Sequence, residues 1–146
     1  MALVLFDTNI LIDALKGYKV ALDELEYWNE PAISAITWME LFAGAKPDDI
    51  DELTRFIADF GFEIIHTDDG IMAAAAHIRG KSIRQGPKIA LPDAIIMATS
   101  IARGLILITR NKKDFKGPHV RIPYELETTT SVKTVNVVPR GTPRPL

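Results

Sequence analysis

Two uninterrupted apolar runs, Ala2–Phe6 and Leu105–Ile108, stand out in the chain. Each reads as a strand buried on both faces, the situation of a strand inside a parallel sheet with helices on either side. Phe62–Ile65 predicts another strand, and Ala32–Ile33 and Val120–Ile122 predict two shorter ones. The intervening segments read as helices: Thr8 to about Lys16, Tyr18–Trp28, Ser34 to about Ala43, Asp48–Phe60, a segment from Thr67 or Asp68 to near Gly86-Pro87, and one opened by Pro92 that ends near Gly104. Ser34, Asp48 and Asp68 suit N-caps, and Gly17, Gly44, Gly61 and Gly104 suit stops. This alternation predicts an α/β fold with a central parallel sheet of four to five strands and helices on both faces.

At 146 residues and 47% hydrophobic content, the chain suits one domain, expected over residues 1–126. Residues 127–146 form a C-terminal extension, expected to be flexible or to pair with another chain. It opens on the polar tract Thr128–Ser131, continues as an edge strand over Val132–Val138, and is interrupted by Pro139, Pro143 and Pro145. No apolar run is long enough to predict a membrane span, and the N-terminus lacks the features of a secretory signal. The absence of cysteine excludes disulfides, a thiolate nucleophile and a Cys-based zinc site. A cytoplasmic location is the expectation.

The net charge of −2 conceals an asymmetry. Residues 1–78 carry four Lys/Arg against fifteen Asp/Glu, whereas residues 79–121 carry ten against two. A basic segment within an acidic chain points to a polyanionic partner such as nucleic acid, although scattered lysines on a solvated face give the same count.

Three acids sit in stretches that otherwise favour burial. Asp7 is the only charge from Ala2 to Ile12, Glu40 the only one from Pro31 to Ala45, and Asp93 the only one from Ile89 to Ala102. Ionised carboxylates are rarely buried unless they are paired or bound to metal. Asp7 also suits an N-cap, Asp93 a favourable place in a first helical turn, and Glu40 a salt bridge from elsewhere. Placement adds a further constraint. Asp7 ends the first strand, Glu40 follows the second by about two helical turns, and Asn111 and Asp114 follow Leu105–Ile108. Ligands of open parallel sheets bind beyond the carboxyl ends of the strands. Four acids gathered there would raise one another's pKa unless a cation neutralised them, and hard oxygen donors suit Mg²⁺ or Mn²⁺. The corresponding chemistry is metal-assisted phosphodiester hydrolysis.

Other residue classes add little. His66, His77 and His119 show no metal-ligand spacing, Trp28 and Trp38 fit packed helical stripes, and no glycine-rich phosphate loop is present.

Four stretches carry a family resemblance: Val4–Ile12, Ser34–Gly44, Leu91–Thr99 and Thr109–Phe115. In this order and at these separations, over about residues 2–125, they resemble PIN-domain ribonucleases, and within them the VapC-type toxins of toxin–antitoxin pairs. The resemblance implies that Asp7, Glu40, Asp93 and Asp114 form an acidic catalytic quartet, with Asp7 and Asp93 the most direct metal ligands and Thr8 and Asn111 in support. It implies a Mg²⁺-dependent endoribonuclease acting as the toxin of its pair, a homodimer, and a cognate antitoxin that blocks the site. Asn111 is expected to hold the Asp7 side by hydrogen bonding, and Lys88, Arg110, Lys112 and Lys113 to contact RNA phosphates. Two alternatives stay open: a non-catalytic PIN-like RNA-binding module, and a haloacid-dehalogenase-like phosphatase. The second would want another acid two residues after Asp7, where Asn9 stands.

Overall fold

The structure, a computed structural model, describes residues 2–128 and 132–140. Five strands form one parallel sheet: β1 (Val4–Phe6), β2 (Ala32–Ser34), β3 (Glu63–Ile65), β4 (Ile106–Ile108) and β5 (Val120–Arg121), in the order β3-β2-β1-β4-β5. Helices fill the connections: α1 (Thr8–Leu15) and α2 (Lys19–Tyr27), then α3 (Ala35–Gly44) and α4 (Ile50–Phe60), then α5 (Asp69–Gln85) and α6 (Leu91–Arg103). The expected α/β architecture is therefore the one adopted. No described helix is long and apolar enough to cross a membrane.

The order of the strands explains where helices lie and where a ligand fits. From β1 the chain steps to β2 and β3 on one side, then returns to β4 on the other side of β1. Crossovers between parallel strands are right-handed, so reversing direction moves the helices to the opposite face. One core cluster accordingly joins Val4, Phe6, Ile33 and Ile108 to Leu25 of α2 and Leu53 of α4. The other joins Leu5, Ala32 and Leu107 to Ile71 of α5 and Ile96 of α6. Every β1 residue is buried because both faces are covered. The reversal opens a crevice at the carboxyl ends of β1 and β4, which pair in register from Val4↔Ile106 to Phe6↔Ile108.

Local chemistry sets the helix ends. The Ser34 hydroxyl accepts from the Ile36 N–H, and the Asp68 carboxylate accepts from the Ile71 N–H. Gly104, at φ 64°, closes α6 in the left-handed conformation and turns the chain into β4. Two expected starts shift. Asp48 caps nothing, because Pro47–Asp49 winds a 3₁₀ turn ahead of α4. Helix α6 begins at Leu91, which puts Pro92 in its second position and Asp93 in its first turn.

Past β5, the chain forms an antiparallel hairpin of β6 (Glu125–Thr128) and β7 (Val132–Val135), with Leu126 opposite Thr134. The following segment lies against α2: the Val138 N–H donates to the Pro123 carbonyl at 2.8 Å, and the Arg140 guanidinium sits 5.2 Å from the Tyr27 ring centre. Residues 129–131 of the polar tract, and Pro143 and Pro145, lie outside the described residues.

Candidate active site

Asp7 leaves β1 and caps α1. It is buried at 4% exposure, and its backbone N–H continues the sheet by donating to the Ile108 carbonyl at 2.9 Å. The cap and the site are thus one residue. Asp7 Oδ1 accepts from the Thr8 N–H at 2.8 Å. Its Oδ2 accepts from the Thr109 hydroxyl at 2.7 Å and from Asn9 Nδ2 at 3.1 Å. Asn9 Oδ1 in turn accepts from the Arg110 N–H, and Thr109 Oγ1 accepts from the Asn111 N–H. The ends of β1 and β4 are laced together through this one carboxylate.

Thr8 links the first motif to the second. Its hydroxyl donates to Glu40 Oε1 at 2.8 Å and lies 3.0 Å from the hydroxyl of buried Thr37. Glu40 therefore has a neutral partner, and no salt bridge to it is found among the described residues. Asn111 serves the fourth motif: its Nδ2 donates to Asp114 Oδ2 at 3.1 Å, and its Oδ1 accepts from the Asp114 N–H at 3.2 Å. The Asn111 side chain thus holds Asp114 rather than Asp7, and Asn111 reaches the Asp7 side only through its N–H on Thr109. The reason is local, since a turn over 112–114 brings Asp114 back onto the Asn111 side chain, while Thr109 and Asn9 already occupy the Asp7 oxygens.

Asp93 accepts no hydrogen bond and joins no ion pair among the described residues. Burial, together with the charges of Asp7, Asp114 and Glu40, pushes its carboxyl pKa up to about 6. Burial also raises that of Asp7, with Glu40 adding to the rise and the Thr109 and Thr8 hydrogen bonds opposing it. These couplings bring all four expected acids into one neighbourhood. The nearby cation, Arg110, is committed elsewhere: its Nε and Nη2 grip buried Asp13 at 2.6 and 3.1 Å.

The cluster thus holds surplus carboxyl oxygens, hard donors, and one of its members, half-buried Asp93, has no partner among the described residues. That donor chemistry suits a divalent cation. No three acid or histidine side chains among the described residues are gathered tightly enough to enclose an ion alone. The fit is therefore to an ion such as Mg²⁺, which is commonly held through one or two carboxylates and keeps several waters. Asp7 and Asp93 are the two whose protonated forms are most favoured in its absence.

The four expected phosphate contacts divide. Lys88 and Lys113 are exposed, with no ion pair among the described residues. Arg110 and Lys112 are not free for phosphates: the first is bound to Asp13, and Lys112 Nζ pairs with Glu125 at the start of the hairpin. Asp13 lies 97 residues before Arg110, and Glu125 opens the hairpin beyond β5, so Thr109–Phe115 itself carries no sign of either partner. Asn9 and Thr109 are site residues that the acid-based reading passed over, although both stand inside the motifs that carry the resemblance. Trp38, expected on a packed stripe, is exposed and stacks on Phe42 with ring centres 4.2 Å apart.

A match to the PIN domain spans residues 4–117. The tRNA(fMet)-specific endonuclease VapC of Shigella flexneri is 32% identical over 117 residues, covering 77% of this chain and 89% of that protein. Among solved structures, a toxin–antitoxin complex from Klebsiella pneumoniae contains a chain 44% identical, with a TM-score of 0.72, covering 84% of this chain and 98% of that one. VapBC2 from Rickettsia felis, bound to a DNA fragment from its promoter, matches at 27% identity and a TM-score of 0.70, covering 81% and 95%.

Proposed function

This chain belongs to the PIN-domain family, and we propose that it is a VapC-type endoribonuclease, the toxin of a toxin–antitoxin pair, dependent on Mg²⁺ or Mn²⁺. The observation that carries this reading is Asp93: a carboxylate whose pKa is raised to about 6 by burial and by three neighbouring acids, with no ion-pair partner among the described residues.

In this reading Asp7 and Asp93 hold the metal. The bound ion would supply a lowered pKa for an attacking water and charge stabilisation for the leaving oxygen. The rest falls to the chain's own groups. Thr109, Asn9 and the Thr8 N–H fix both Asp7 oxygens, so the carboxylate cannot rotate away. The Thr8 hydroxyl holds Glu40 at the rim, where its free oxygen can orient the water and take its proton. Asn111 pins Asp114, the fourth acid of the proposed site.

RNA is the proposed substrate, and the name of the Shigella relative makes tRNA the first class to test. An antitoxin protein and a second copy of this chain are the proposed partners. Asn9 disfavours the phosphatase alternative, since it donates its amide to Asp7 where a second acid would be needed.

Purified protein should cleave tRNA with Mg²⁺ or Mn²⁺ and stop when chelator is in excess. Asp7→Asn and Asp93→Asn should each lower the rate by about 10²-fold or more, as removal of a key electrostatic group does. Undiminished cleavage in chelator would refute the metal requirement, and undiminished cleavage by both variants would refute the assignment of the site.

A further inference from the structure

The basic segment 79–121 sorts into two sets once the ion pairs are known. Arg103, Arg110, Lys112 and Arg121 are neutralised by Asp68, Asp13, Glu125 and Glu24, respectively. The other six, Arg79, Lys81, Arg84, Lys88, Lys113 and Lys116, meet no acid within salt-bridge distance among the described residues. Arg79 is tied to the Ile89 carbonyl by a hydrogen bond at 3.0 Å. Cations left without partners in a chain of net charge −2 are the ones available to an external polyanion.

Three of these six converge. Lys81 from α5, and Lys113 and Lys116 from the turn after β4, line one cavity of about 360 Å³, together with His77 and Gln85. Its wall also includes Ser82 and Asp114, the latter a member of the acidic cluster, so the cavity abuts the proposed reaction site. Its volume falls within the range of small-ligand sites. The lysines are exposed point charges rather than a bidentate fork, which suits successive singly charged phosphates better than one tightly held anion.

We infer that the cavity between the C-terminal half of α5 and the Lys113–Lys116 turn is a track for the RNA strand, holding phosphates next to the one being cleaved. Lys81, Lys113 and Lys116 make the contacts, and Arg110 and Lys112 do not. This rests on the nuclease reading above, and the test separates the two.

The full-length chain carrying Asp93→Asn serves as the uncleaving parent. Its binding to a fluorescent single-stranded RNA is followed by anisotropy across a salt series, with and without Lys81→Gln/Lys116→Gln. The pair should weaken binding several-fold at low salt and flatten the dependence of log affinity on log salt by about 1.4, at about 0.7 per single-strand phosphate lost. A charge-matched control, Lys46→Gln/Arg55→Gln, alters exposed cations at and just before α4, which packs on the opposite sheet face, and should change neither value. All four positions are exposed, so folding should survive, and Lys113→Gln alone gives a second reading with about half the change in slope. Affinity and slope that match the parent's in both groove variants would overturn the track. So would polyglutamate binding to the parent but not to the groove pair without displacing RNA from either, which would make the cavity an acidic-peptide site. A wild-type chain that cleaves no RNA with either metal would instead overturn the nuclease reading, and the track with it.

Discussion

Asp7, Asp13, Glu24 and Asp93 are four acids taken out of full solvent contact, and they fall into two kinds. Asp13 and Glu24 are each 1% exposed, yet each is fully answered. Asp13 accepts two bonds from Arg110 and a third from the Tyr124 hydroxyl at 2.6 Å. Glu24 accepts from Arg121, Arg140 and the Trp28 indole. Asp7 and Asp93 have neutral donors or none, and both have raised pKa values. Burial of a carboxylate is therefore not itself the mark of a site. The sharper mark is burial without a counter-charge, an environment that shifts a carboxyl pKa and is common at functional sites.

The contrast is broken most severely on the answered side. Asp13→Ala leaves Arg110 and Tyr124 facing an unfilled space, and removing one partner of a buried ion pair typically costs about 3 kcal/mol or more. Chemical denaturation should register a loss near that size. A cost close to zero would mean that solvent already screens the pair. For Arg110, burial works against the cation, but the bond and charge of Asp13 outweigh it and leave its pKa above the usual value.

Asp93→Asn should do the reverse. In the folded metal-free protein Asp93 holds its proton more tightly than in the unfolded chain, with a pKa of about 6 against 3.8. Stability is then greatest at low pH, falls as pH rises through that interval, and is flat above it as far as this group is concerned. Replacing the acid removes its part of that decline, so metal-free thermal scans near neutral pH should show an unchanged or higher Tm. A marked drop in Tm would assign Asp93 a structural role in α6.

These differences also explain what could be read from the chain alone. Asp7, Glu40 and Asp93 were legible because each is a lone charge in an apolar stretch, and a one-dimensional pattern records that directly. Asp13 and Glu24 were not, since their cations lie 97 residues away and nothing local marks the pairing. The basic count of segment 79–121 was visible, but its division into neutralised and free cations depends on the same long-range contacts. In the fold, β1 and β4 declared themselves by double burial. Of the hairpin, the second strand falls within the expected Val132–Val138, whereas Glu125–Thr128 is polar enough to go unread, and only its pairing with Val132–Val135 makes it a strand.

A smaller effect attends the contact between that hairpin and the fourth motif. Lys112 and Asn136 both donate to Glu125 and hold its carboxyl below the usual range. The pair is solvent-accessible, so Glu125→Gln should leave the Tm nearly unchanged. It also frees Lys112, so RNA binding in the uncleaving parent should tighten slightly. Weaker binding would mean that Glu125 orders the turn bearing Lys113 and Lys116.

Direct ion uptake is the sharpest test of the idea that an unanswered acid pair marks the site. Mn²⁺ is titrated into the wild-type chain by calorimetry at about pH 7.5 and again near pH 5, where a carboxyl of pKa about 6 is largely protonated. The account predicts saturable binding at the higher pH, weaker binding with proton release at the lower, a Tm that rises with metal in proportion to occupancy, and loss of the first two in Asp93→Asn. Equal Mn²⁺ binding by wild type and Asp93→Asn, or none by wild type at either pH, would contradict it.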